Sequence, residues 1–215
     1  MSVINFFIDF VLHIDTHLIS IVTNFGNWTY LILFFIIFIE TGAVILPFLP
    51  GDSLLFAASA LAANSIYHLN IWIFVGLFLA AAYLGDSLNF FIGKKVGSSV
   101  SEHAVFGKLI NQDNLNRTEQ FFNKHGGPAI ILARFMPIIR TFAPFIVGGS
   151  GFKYSRFLRF SLIGGFSWVT ICCSAGFFFG NIPAVQDHFS LVVLGIILIS
   201  LIPAVFGGLK AKFSK

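Results

Sequence analysis

Two acidic and two basic residues stand in stretches of this chain that are otherwise apolar enough for a membrane. The first stretch runs Ile39-Glu40-Thr41-Gly42-Ala43-Val44-Ile45-Leu46-Pro47-Phe48-Leu49-Pro50-Gly51-Asp52. The second runs Ala133-Arg134-Phe135-Met136-Pro137-Ile138-Ile139-Arg140-Thr141-Phe142-Ala143-Pro144, with Gly148 and Gly149 beyond. A charge at bilayer depth costs roughly 3 kcal/mol on insertion scales, so each of these needs compensation. Arginine is permanently charged and forks onto phosphate through two parallel hydrogen bonds, which makes Arg134 and Arg140 candidate phosphate ligands. They are six residues apart, and an unbroken helix would turn them about 120° from each other. Pro137 between them favours a bend that can bring both to one pocket, and broken helix ends add free N–H groups for an anion.

Glu40 and Asp52 place two carboxylates in the opposed stretch. Burial favours the protonated form of a carboxylate and a nearby arginine favours the ionised form. A site holding both can therefore exchange a proton when substrate captures the arginine, with Glu40 the first choice. The plainer alternative is that acids and arginines neutralise one another and pin the protein together. Asp86, in Leu84-Gly85-Asp86-Ser87-Leu88, echoes Pro50-Gly51-Asp52-Ser53-Leu54. It reads either as a water-facing residue near a helix end or as a third member of the site.

Proline removes a backbone donor and restricts its predecessor, so Pro47, Pro50, Pro137 and Pro144, with Gly51, are expected to break both stretches. Broken backbone at membrane depth is tolerated where protein or a watery cavity covers it. Residues 44–64 and 128–150 are therefore expected to form re-entrant helical hairpins. Phe160 to Gly180 and Phe189 to Leu209 contain no charged residue, and each matches the ~20 residues that cross a bilayer core. Trp28–Ile39 and Asn70–Ile92 complete about four expected transmembrane helices. At the N-terminus Val3, Phe7, Phe10, Ile14, Leu18, Ile21 and Phe25 recur at helical spacing opposite polar residues, the pattern of an amphipathic helix over 1–27.

Orientation follows from the basic residues. Lys94, Lys95, Lys108, Arg117 and Lys124 mark a cytoplasmic loop over 93–127, in which Asp113 and Gly126 bracket a short surface helix. Lys153, Arg156 and Arg159 form a second cluster, and Lys210, Lys212 and Lys215 a third. All three are cytoplasmic only if 128–150 dips in from the cytoplasm and 44–64 from outside. That is an inverted repeat with halves at 28–92 and 128–180, and paired interrupted segments in two halves are a pointer to a transport site. Both termini then lie in the cytoplasm.

Composition agrees. The chain has 215 residues, 57% hydrophobic and 10% charged, against about 25% charged in soluble domains. It reads as one all-α integral membrane domain, 1–215. Cys172 and Cys173 are adjacent in an apolar run, which suits packing and neither a disulfide nor a metal site. No cofactor, metal or nucleic acid is expected, and self-association into a homo-oligomer remains open. A lipid phosphatase would want a histidine or other nucleophile beside the arginines. The six histidines lie in the N-terminal helix or loops, so an enzyme is not the expected class.

At these residues the chain resembles the DedA family of bacterial inner-membrane proteins. The matching pieces are Glu40-Thr41-Gly42, Pro47 to Leu54, Gly85-Asp86, Gly93-Lys94-Lys95-Val96-Gly97, Arg134 to Arg140, and Ala143 to Gly149. They span roughly residues 30 to 180. The family often carries Tyr where Phe90 or Phe91 stands here. The resemblance implies opposed re-entrant hairpins and lipid transport in the bacterial inner membrane. Similar proteins return undecaprenyl phosphate to the cytoplasmic leaflet, others support proton-driven membrane homeostasis, and eukaryotic relatives scramble phospholipids. It makes Glu40 and Asp52 the essential acids and Arg134 and Arg140 the essential arginines, with a lipid phosphate and protons as partners.

Overall fold

The computed structural model describes residues 14–43, 51–99, 126–189, 191–192 and 194–196, and those residues are helical or in short connections. Helix α1 (Ile14–Phe25) ends where Gly26 takes a left-handed φ of 52°, and the Gly26 N–H closes the helix on the Val22 carbonyl at 2.9 Å. It lies against the bundle through buried Leu18 and Val22. Helix α2 (Trp28–Gly42) takes up the apolar run and stops when Ala43 turns extended. Helix α3 (Gly51–Ala63) follows, then a 3₁₀ turn (Ser65–Tyr67) in which the Asn64 side chain accepts the Ile66 N–H. Helix α4 (Ile71–Ser99) starts where Asn70 accepts from the Trp72 N–H at 2.8 Å.

The second half, like the first, places two shorter helices before one long one. Helices α5 (Gly127–Ala133) and α6 (Pro137–Gly149) each carry proline in the first turn, where the missing N–H removes no intrahelical bond. Helix α7 (Tyr154–Phe179) is long and apolar, and the five-residue α8 (Pro183–Asp187) follows it. At 1.5 Å per residue, α4 and α7 reach about 40 Å, enough to cross a bilayer core of ~30 Å.

Packing is crosswise. Helix α4 lies against α2 of its own half and α6 of the other, while α7 lies against α5 of its own half and α3 of the other. Glycines permit both crossings: a Cβ at Gly93 or Gly148 would overlap the carbonyl of Phe145 or Phe90, and one at Gly176 that of Phe56. Small residues at contacts are how membrane helices gain van der Waals area where lipid offers no hydrophobic drive. Large apolar side chains such as Trp28, Trp72, Leu132 and Phe178 point outward, as lipid-facing residues do. The core is built on Leu33, Ile37, Leu55, Phe74, Phe78 and Trp168.

Several boundaries differ from expectation. The expected first span is a helix of 15 residues, about 22 Å long and short of the bilayer core. Helix α4 continues through Gly93–Ser99, residues expected in the loop, because no proline stops it and Gly93 still packs on α6. Helix α7 starts six residues before Phe160, since Arg156 and Arg159 continue a helix out of the apolar layer. Pro144, expected to break the chain, lies inside α6. One residue past the Arg140 carbonyl that the proline leaves without its helical donor, the Asn89 side chain donates to the Thr141 carbonyl at 2.7 Å. Pro47, Pro50, the loop helix near 113–125 and most of the 189–209 span lie outside the described residues.

Gly93→Val should push backbone against backbone across the α4–α6 crossing and cost about 3 kcal/mol or more, read as a lowered melting temperature in detergent. Gly76→Ala, with open space at its Cα, should hold or raise it.

Candidate functional site

The singled-out charges converge in the bundle interior. Arg140, in the first turn of α6, donates from Nη2 to Glu40 Oε1 at 2.5 Å and from Nη1 to Asp52 Oδ1 at 2.7 Å. Glu40 stands in the last turn of α2 and Asp52 in the first turn of α3, so one guanidinium ties three helix ends. Arg134, just past the end of α5, donates from Nη1 to Asp86 Oδ1 at 2.5 Å. Ser161 on α7 donates to the other oxygen of Asp86. Asp86 is thus buried at 2% exposure and paired, and does not face water. The bend expected between the arginines falls at Arg134–Met136, and Pro137 opens the next helix.

Gly51 serves a purpose different from breaking a helix. A Cβ there would lie 2.5 Å from Glu40 Oε2, so the missing side chain is the seat of the Glu40 carboxylate. That oxygen, and Nε and Nη2 of Arg134, have no hydrogen-bond partner among the described residues. Nε and Nη2 form the side-on edge of a guanidinium, the edge that grips a carboxylate or phosphate bidentately.

Two further residues complete the cluster without having been marked in the sequence. Asn89 on α4 is fully buried and donates to the carbonyls of Thr41 at 3.2 Å and Thr141 at 2.7 Å, the residues following Glu40 and Arg140. The Thr41 carbonyl is one of the unpaired acceptors at the end of α2. Asn89's position three residues after Asp86 in an apolar run was the available signal. Trp168 on α7 donates from its indole N–H to Asp52 Oδ1 at 2.6 Å. The guanidinium carbons of Arg140 and Arg134 lie 4.6 and 5.1 Å from its ring centre, within cation–π range. Nothing in the sequence set this tryptophan apart from Trp28 and Trp72.

Three carboxylates face two guanidiniums here, which leaves one negative charge in excess if all are ionised. The cavity beside Arg134, Asp86 and Ser161 holds about 10 Å³, room for one water at most. The site is closed. A larger cavity of about 220 Å³, lined by Leu18, Ala57, Leu61, Asn64 and Tyr67, contains none of the five charges.

Fold and site together define a helical membrane protein with linked ion pairs buried between its helices. The chain belongs to the VTT-domain, or DedA, family: the VTT domain matches residues 49–178. It is 47% identical over 212 residues to Protein DedA of Escherichia coli (strain K12), covering 99% of this chain and 96% of that one. An uncharacterized membrane protein of Mycobacterium leprae is 40% identical over 171 residues, covering 79% of this chain and 74% of its own length. Inner membrane protein YghB of Escherichia coli (strain K12) is 31% identical over 212 residues, with coverage of 95% and 92%. No solved structure matches the chain.

Asp86→Leu leaves Arg134 buried without its acid and should cost about 3–5 kcal/mol, whereas Asp86→Leu combined with Arg134→Met should recover most of that. Thermal melts of the singles and the double, arranged as a cycle, check this. Gly51→Ala should displace the Glu40 carboxylate from Arg140 and lower the melting temperature clearly, because a buried ion pair is strained or lost.

Proposed function

We propose that this protein is a carrier that flips a lipid phosphate, undecaprenyl phosphate, from the outer to the cytoplasmic leaflet of a bacterial inner membrane. The observation that carries this reading is the half-used Arg134. It is buried, ionised, held by Asp86 through one nitrogen only, and its side-on fork is unpartnered among the described residues. A phosphate monoester fits such a fork, and Arg140, a few residues along the same broken segment, supplies the second cation. The polyprenyl tail would remain in lipid.

Glu40, Asp52 and Asp86 act in this scheme as placeholders for the phosphate. When phosphate takes Arg140, Glu40 or Asp52 loses its cation and takes up a proton, which also removes the excess negative charge. The crosswise packing of the halves supports re-entrant segments at 44–64 and 128–150 that enter from opposite faces as an inverted repeat. With the basic clusters on the cytoplasmic side, both termini are cytoplasmic. No bond is made or broken in the lipid, so the activity is transport and not enzymatic.

In liposomes containing the purified protein, labelled undecaprenyl phosphate should exchange leaflets, and a pH gradient should change the rate severalfold. Arg140→Ala should abolish movement. Arg134→Lys, which keeps the charge and loses the fork, should reduce it at least tenfold. Movement no faster than in protein-free liposomes would overturn the proposal, and equal movement of phosphatidylglycerol would replace it with general scrambling.

A further inference from the structure

Trp168 occupies an unusual position for an apolar residue in a packed bundle. Its N–H and Arg140 Nη1 donate to the same oxygen of Asp52. Its ring lies within cation–π range of two guanidiniums. It is 2% exposed, in the middle of α7, and touches the part of the site contributed by α3, α5 and α6. Two arginines brought to one ring repel each other, and carboxylates from three other segments offset the repulsion. If packing alone were at stake, Leu or Phe would fill the space without needing a hydrogen-bond partner.

The indole has chemistry suited to an exchange of ions. A flat, uncharged face attracts cations yet cannot neutralise them, so it holds guanidiniums in place without competing for an anion. The N–H is a donor only and lies on Asp52 independently of the Arg140 hydrogen. The ring has two side-chain torsions, so it holds these groups at low entropic cost.

We propose that Trp168 is the positioning residue of the anion site: its ring aims both guanidiniums at one phosphate, and its N–H keeps Asp52 in place when Arg140 exchanges Asp52 for that phosphate. This rests on the lipid-phosphate reading above. The exchange is of hydrogen bonds alone: Arg140 Nη1–H leaves Asp52 Oδ1 for a phosphate oxygen, and the indole N–H remains on the carboxylate.

The protein carries its own reporter. Its three tryptophans are Trp28, Trp72 and Trp168, and the first two are exposed at the bundle surface. In full-length Trp28→Phe/Trp72→Phe protein, Trp168 is the sole source of indole emission. Titration with undecaprenyl phosphate should shift that emission, and undecaprenol, which lacks the phosphate, should not. Trp168→Phe keeps a ring for the cations and loses the N–H. It should lower the melting temperature, since a buried hydrogen bond and ring area are lost from the free protein. It should also weaken binding of radiolabelled undecaprenyl phosphate about tenfold, because Asp52 would be left without a donor once Arg140 turns to the phosphate. Trp168→Leu should weaken it further.

Emission that ignores a lipid which the wild type binds, or wild-type affinity in Trp168→Phe, would overturn the inference and leave the carrier reading standing. If Trp168→Phe fails to fold, the emission titration, in which Trp168 is intact, decides alone. Wild-type protein that neither binds nor moves undecaprenyl phosphate overturns the carrier reading, and this inference with it.

Discussion

One guanidinium holds the two halves of this protein together where the backbone is broken. Arg140 donates to Glu40 and Asp52 at once, so the start of α6 is bound to the end of α2 and the start of α3. Helix dipoles show why the pairing is needed. An acid at the carbonyl end of a helix and a base at the N–H end are each disfavoured by their own helix. Glu40 and Arg140 both stand at such wrong ends, and each offsets the other. Asp52 at the start of α3 and Arg134 past the end of α5 are at favourable ends. The same few residues therefore contain one pair that depends on mutual contact and two charges that tolerate a change of partner.

The rest of the bundle keeps those helix ends in register. Glycine contacts between α4 and α6, and between α7 and α3, bring backbones close enough to fix the axial position of each broken helix. Asn89 completes this by donating to the carbonyl beside each member of the Glu40–Arg140 pair. A shift of either helix along its axis would break a buried hydrogen bond and an ion pair together. Such a change in a water-poor interior costs several kcal/mol unless another ion replaces the lost partner.

Much of this was legible in the sequence, and the reasons are physical. Charges inside apolar runs are too costly to be incidental, so Glu40, Asp52, Arg134 and Arg140 stood out. Proline between the arginines indicated the bend, although Pro137 turned out to open α6 and Pro144 to lie within it. Asp86 could be read either way because periodicity does not tell a lipid, water or protein neighbour apart. Pairing was not legible at all. That Arg140 takes both Glu40 and Asp52, while Arg134 takes Asp86, depends on the crosswise packing of α4 and α7, a long-range property. Trp168 was hidden for the opposite reason, since an uncharged aromatic in an apolar helix carries no local anomaly, while Asn89, an amide three residues after Asp86 in an apolar run, left a weak one.

The uneven use of the two arginines constrains how an anion can enter. Arg140 has both terminal nitrogens on carboxylates, whereas Arg134 has its side-on fork unpartnered. An incoming phosphate meets its first available donors at Arg134, and it reaches Arg140 only by displacing Glu40 or Asp52. The cluster already holds one more carboxylate than guanidinium, so a phosphate would add one or two negative charges to an excess of one. Beside Arg134 and Asp86, where the cavity has room for about one water, such a surplus would be weakly screened. Displacement is therefore affordable in free energy only if a carboxylate is neutralised in the same event. On the proposed reading a proton would serve that purpose, taken up as the carboxylate is displaced from its cation. On the proposed carrier reading the acids are not merely spectators that hold the arginines until substrate arrives: their number, one more than the arginines need, would couple phosphate entry to proton uptake.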